Sequence, residues 1–167
     1  MRGIAVLCLG GLLFMCGCPS QQEIPSAVTV LTAGTYAGTV DCTSKATGKE
    51  DQQAQTNMTV EVTEAGQLYI SSLPYYEGVI HDMSDAASGV TGSLTINDIT
   101  EDAQTKTVTI AGSGTLGNGS MTYATTHDIT LVQASDTQLD VTDVYAGQST
   151  PPGSEFELSC GGTLTRQ

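Results

Sequence analysis

The sequence predicts an all-β domain, an antiparallel meander of about 8–10 strands closed or nearly closed into a barrel, with a β-sandwich as the alternative. Three observations lead there. From Gly34 onward the chain is rich in Thr, Val, Ser and Gly, and short apolar/polar alternations recur along it. Turn-forming clusters separate the alternations, and no segment carries a helical apolar stripe that could make parallel crossovers.

The clearest strand is 57–63, where Met58, Val60 and Val62 alternate with Asn57, Thr59, Glu61 and Thr63, the period-two pattern of a strand with one buried face. Val90, Leu94 and Ile96 alternate with Thr91, Ser93 and Thr95; Val108 and Ile110 with Thr107 and Thr109; Ile129 and Leu131 with Asp128 and Thr130. Leu139 and Val141 alternate with Gln138, Asp140 and Thr142, and Phe156, Leu158 and Cys160 with Glu155, Glu157 and Ser159. In chain order the strands are expected near 35–42, 56–64, 67–72, 76–80, 90–97, 105–112, 119–126, 127–134, 137–145 and 155–165. Turns are expected at 64–67 (EAGQ), 97–104 (NDITEDAQ), 117–120 (GNGS) and 135–136. The stretches 43–54, 81–89 and 146–153 read as longer loops, the last because its two prolines cannot lie inside a sheet.

The N-terminus has a different texture. Met1-Arg2-Gly3 is followed by an uncharged apolar run from Ile4 to Cys16. At about 13 residues it is shorter than the roughly 20 needed to cross the hydrocarbon core, which is the plan of a cleaved signal peptide. Its end, "FMCGC", resembles the lipobox of bacterial lipoproteins, in which a small residue precedes a cysteine that becomes lipidated. Cys18 follows Gly17, whereas Cys16 follows the bulky Met15, so the resemblance implies cleavage before Cys18 and acylation, with palmitate-type lipid, at Cys18. Met15 stands where lipoboxes usually carry leucine. The expected organisation is a signal peptide at 1–17, a lipid-anchored tether at 18–33 containing two prolines, and one domain at 34–167. The implied location is the cell envelope, at the outer membrane or cell surface.

After cleavage four cations, Lys45, Lys49, Lys106 and Arg166, face 18 carboxylates, a formal charge of -14. That excludes nucleic acid, which needs a basic face. It also repels anionic headgroups, so membrane contact is expected through the lipid alone. Two cysteines remain in the domain. Cys42 shares parity with Tyr36 and Val40 on the first strand, and Cys160 with Phe156 and Leu158 on the last. First and last strands of a closed meander are neighbours, so a disulfide between them is expected in an oxidising compartment, two free thiols being the alternative.

"GTYAG" at 34–38 opens the first strand and Arg166 ends the last, which resembles the calycin arrangement of lipocalins, a Gly-x-aromatic motif at the barrel mouth covered by a basic side chain. Tyr36 stands where those proteins usually carry tryptophan. The resemblance implies a calycin-like barrel and a binding role. Inward-parity Gly38, Gly92 and Gly162 would leave room for a small apolar ligand, or would mark only the bends of a closed sheet. Candidate ligand contacts are Tyr36 and Tyr123 by parity, and Tyr75, Tyr76 and His81 as a mouth loop. The competing role is an envelope structural or adhesion lipoprotein with a packed interior, meeting another envelope protein.

No catalytic site, metal or cofactor is expected. His81-Asp82 and His127-Asp128 cannot act as dyads on a strand, because consecutive residues face opposite sides. The acids at Asp82 and Asp85 and at Asp98, Glu101 and Asp102 lack EF-hand spacing and read as solvated turns. None of the common hydrolase, phosphate-loop, Cys-x-x-Cys or zinc-protease motifs is present.

Overall fold

A computed structural model describes residues 27–119, 121–150 and 152–167. The expected signal peptide, Cys18 and the expected tether up to residue 26 lie outside the described residues. Ten strands form one antiparallel sheet: β1 (Gly34–Ala46), β2 (Gln52–Val62), β3 (Leu68–Ile70), β4 (Leu73–Tyr75), β5 (Ile80–Asp82), β6 (Val90–Asp102), β7 (Thr107–Asn118), β8 (Met121–Ser135), β9 (Gln138–Thr150) and β10 (Glu155–Arg166). Their order is β4-β3-β2-β1-β10-β9-β8-β7-β6-β5. Every pairing is between chain neighbours except β1 with β10.

The sheet curls until its two edges meet. β4 and β5 are not paired by a hydrogen-bond ladder, yet the Tyr75 ring on β4 lies 4.9 Å from the His81 ring on β5. The partner row starting at Tyr75 runs through Leu68 and Val62 to Gly34 on β1. The row starting at His81 passes Leu94, Gly114, Thr125, Gly147 and Phe156 and reaches β1 at Ala46. Such stagger is what tilted strands accumulate on wrapping into a barrel. Closure is incomplete. Above β3 the part of β2 from Gln52 to Asn57 pairs only with β1, leaving a notch in the wall edged by Gln, Thr and Asn.

The strands are longer than the alternation alone implies. Positions 119–126 and 127–134 are one continuous strand, β8, because the parity of Ile129 and Leu131 runs unbroken back through His127 and Thr125. β6 continues through the expected turn at 97–104 by a bulge between Ile96 and Asp98. The expected loops at 43–54 and 146–153 shrink to tight hairpins, and 76–80 is mostly the turn joining β4 to β5.

Tyr36, Val40, Val60, Leu94, Ile96, Val108, Ile110, Ile129, Leu131, Leu139 and Leu164 are almost completely shielded from solvent and fill the interior. Residues 27–33, part of the expected tether, are packed into this domain. Val28 and Leu31 join the core, the Val28 amide donates to the Gly66 carbonyl at 2.8 Å, and the Thr32 amide donates to Gln133 Oε1 at 2.9 Å. The segment thereby closes the end where β1 starts and β10 finishes, which we call the base.

Glycines expected to hollow out the interior do not do so. A Cβ at Gly38 would stand 3.2 Å from Leu164 Cδ2, at Gly92 3.0 Å from Leu116 Cδ1, and at Gly162 3.2 Å from Val40 Cγ1. Those side chains already fill the space, and the glycines let neighbouring strands approach closely. Cys42 and Cys160 are register partners on β1 and β10 and form a disulfide, Cα to Cα 4.0 Å.

Candidate functional site

The end opposite the base carries a polar and aromatic layer on the inner face. β8 presents Tyr123, Thr125 and His127, β9 presents Asp143, Tyr145 and Gly147, β10 presents Phe156 and Leu158, and β4 and β5 contribute Tyr75 and His81. The rings form a continuous arc. Tyr123 to Phe156 is 5.4 Å, Phe156 to Tyr145 5.5 Å, Tyr145 to His127 5.7 Å and His127 to Tyr75 6.4 Å, with His81 beyond Tyr75. Gly147 makes this possible, because Phe156 lies across it where any Cβ would collide with the ring.

His127 pairs with Asp143, not with its chain neighbour Asp128. The two sit diagonally on β8 and β9, with Nε2 to Oδ1 at 2.7 Å. A carboxylate oxygen accepts, so Nε2 donates here, and in the neutral imidazole Nδ1 is then a lone pair. Four side-chain atoms here are buried without a hydrogen-bond partner among the described residues: His127 Nδ1, Thr125 Oγ1, Tyr145 Oη and His81 Nε2. Thr125, His81 and His127 are only 3%, 7% and 8% exposed. Leu158, the register partner of Tyr145, is 40% exposed although it faces inward, so solvent reaches the inner face on this side.

Burial, helped by the negative charge of Asp143, pushes the Tyr75 phenol up to about 12. Burial and then the neighbouring His127 lower the proton affinity of His81. The unfolded chain therefore takes up a proton at His81 at higher pH than the folded domain does. This contribution to stability is complete above the ordinary histidine value near 6.5 and falls as pH drops below it. Denaturant unfolding of wild type and His81→Phe at pH 7.5 and 5.5 should show the wild type losing more stability than the variant on acidification. Equal losses would show that His81 is not held neutral by the fold. The turn acids Asp82, Asp85 and Asp102, lowered by hydrogen bonds from their own turns, lose their contribution only at still lower pH, below the ordinary carboxylate value.

Of the residues singled out in the sequence, Tyr75, His81 and Tyr123 belong to this arc. Tyr75 and His81 face inward from two strands and are not an exposed mouth loop; Tyr76, in the turn between them, takes no part in the ring contacts. Tyr36 is elsewhere. It is fully buried at the base, where its hydroxyl donates to the Thr32 carbonyl at 2.9 Å and accepts from Gln133 Nε2 at 3.2 Å. Tyr36 and Arg166 are register partners and Arg166 packs over Gly34, but at the closed end, so this pair does not guard a mouth. Thr125, His127, Asp143, Tyr145 and Phe156 were not anticipated as a group. Their signal was parity: each shares the dry face of its strand with Ile129, Leu139 or Cys160, and Asp143 is an ionisable group at a core-facing position.

A concavity of about 680 Å³ lies over β8, β9, β10 and the end of β1. Outward-parity residues such as Ala124, Ala146 and Lys45 line it together with Thr125, Gly147 and Phe156 of the inner-face layer. Among the described residues no group of three or more His, Cys, Asp or Glu side chains is arranged to hold a metal ion. No family model matches the chain, and neither curated proteins nor solved structures provide a match.

Proposed function

We propose that the chain is an exported lipoprotein, anchored through Cys18, whose barrel-like domain binds a small, mostly apolar molecule on the inner face at its open end. The observation that carries this is the grouping of four buried, unpartnered polar atoms beside an aromatic arc. Each such atom costs roughly 1–3 kcal/mol when left unpaired, so four in one layer call for water or a guest to pair with them. The ring faces and Leu158 supply the apolar surface that pockets use, and the few polar atoms supply orientation. Binding without catalysis fits the geometry, since His127 Nδ1 engages no hydroxyl or thiol that it could activate.

Native purification followed by solvent extraction, and titration of the extracted domain with the neutral fluorophore N-phenyl-1-naphthylamine, test the binding role. A co-purifying small molecule or saturable fluorescence supports it. An empty extract with no probe binding removes it and leaves a packed envelope scaffold, the reading favoured by the filled base around Leu131, Leu139 and Leu164.

Anchoring rests on the lipobox resemblance and on the charge-free run before it. Cys18→Ser should abolish incorporation of labelled fatty acid and move the protein from the membrane to the soluble fraction. A Cys18→Ser protein that still labels and sediments with membranes would transfer the anchor to Cys16.

A further inference from the structure

Resting on the binding role proposed above, we infer that the guest is an uncharged molecule carrying a hydroxyl group, placed among His127, Thr125 and Tyr145 with its apolar body toward Phe156 and Leu158. The three residues are adjacent on the inner face. Thr125 and His127 are two apart on β8, and Tyr145 is the β9 partner of His127. Their unpartnered atoms have distinct needs. With Nε2 of His127 donating to Asp143, the neutral imidazole presents Nδ1 as a lone pair for a donor. Thr125 Oγ1 and Tyr145 Oη each have a hydrogen to give and lone pairs to receive with. A hydroxyl has one hydrogen to donate to the imidazole and lone pairs to accept from the other two.

Other chemistries leave groups unpaired. A carboxylate cannot donate to Nδ1, and it would be brought near Asp143 in a domain that already carries a large negative charge. An ammonium could donate to Nδ1 but would force both hydroxyls to act as acceptors, with their own hydrogens unused and a desolvated cation to compensate. A purely apolar guest would strip water from the layer and satisfy none of its polar atoms. His81, on the far side of the Tyr75 ring and held neutral by burial, adds no charge to the layer.

Retaining an unpartnered hydroxyl opposes folding, so a residue kept for a ligand should trade stability against binding. Thr125→Val preserves shape and removes the hydroxyl. It should raise the melting temperature of the ligand-free domain by a few degrees and weaken a hydroxylic guest about tenfold.

The test uses the mature chain with Cys18→Ser, extracted free of small molecules and titrated by NMR with four probes of one shape: benzyl alcohol, toluene, benzoate and benzylamine. Benzyl alcohol should bind about tenfold more tightly than the other three and shift the amides of Thr125, His127 and Tyr145. Thr125→Val should remove that preference. Equal binding of toluene and benzyl alcohol would keep the binding role and overturn the hydroxyl requirement, and so would tightest binding of benzoate or benzylamine. No binding by any probe would overturn both. A fall in melting temperature on Thr125→Val, with binding unaltered, would show that solvent satisfies the hydroxyl and would also overturn the inference.

Discussion

Replacing Cys42 and Cys160 together by alanine is expected to lower the melting temperature by on the order of 10–20 °C. The bridge joins residues 118 apart in the chain. For a loop of that length the chain-entropy relation gives about 5 kcal/mol, against a total stability of roughly 5–15 kcal/mol for an ordinary domain. The topology explains why this one link matters so much. All other strand pairings are between chain neighbours, most of them tight hairpins whose closure is cheap. Among the described strands only β1 with β10 must bring distant segments together, and the disulfide sits within that pairing. Thermal unfolding of the oxidised protein, with and without reductant, should reproduce the effect of the double variant. Thiol labelling in denaturant without reductant should find neither cysteine free. An unchanged melting temperature, or stoichiometric labelling of both residues, would remove the bridge from the account of stability.

Tyr36→Ala should cost about 3–5 kcal/mol, the range for deleting a fully buried aromatic ring. Its hydroxyl belongs to a knot in which Gln133 Nε2 donates to Tyr36 Oη and to the Gln138 carbonyl, both at 3.2 Å, while Gln133 Oε1 accepts from the Thr32 amide. The knot ties β1, the β8–β9 hairpin and the segment at 27–33 into one closed base. Truncation at Tyr36 therefore opens a cavity and also leaves part of a buried amide unpaired. Tyr36→Phe keeps the ring and should cost only about 1 kcal/mol. Both variants should retain the affinity of the wild type for benzyl alcohol wherever they are folded, because Tyr36 lies at the base and the aromatic arc at the opposite end. Equilibrium urea unfolding gives the stabilities, and loss of binding in a folded Tyr36→Phe protein would return this residue to the ligand site.

Much of this protein was decided by local pattern. Period-two alternation depends only on which residues prefer water, so the sequence alone determined the all-β class, the inward parity of nearly every strand and the facing of Cys42 and Cys160. It did not determine strand ends. Thr- and Ser-rich segments such as 43–46 and 146–150 lack an apolar side to read, and they are strand because a paired neighbour holds them. Only the tertiary structure decided which inward residues meet. Pairing of His127 with Asp143 depends on the β8–β9 register, and contact of Tyr75 with His81 depends on the stagger accumulated around the whole sheet. Register between adjacent strands sets Leu164, Leu116 and Val40 beside Gly38, Gly92 and Gly162, filling space that parity alone leaves open. Parity says which face a side chain takes; register and curvature, properties of the closed sheet and not of any one strand, say what it meets there.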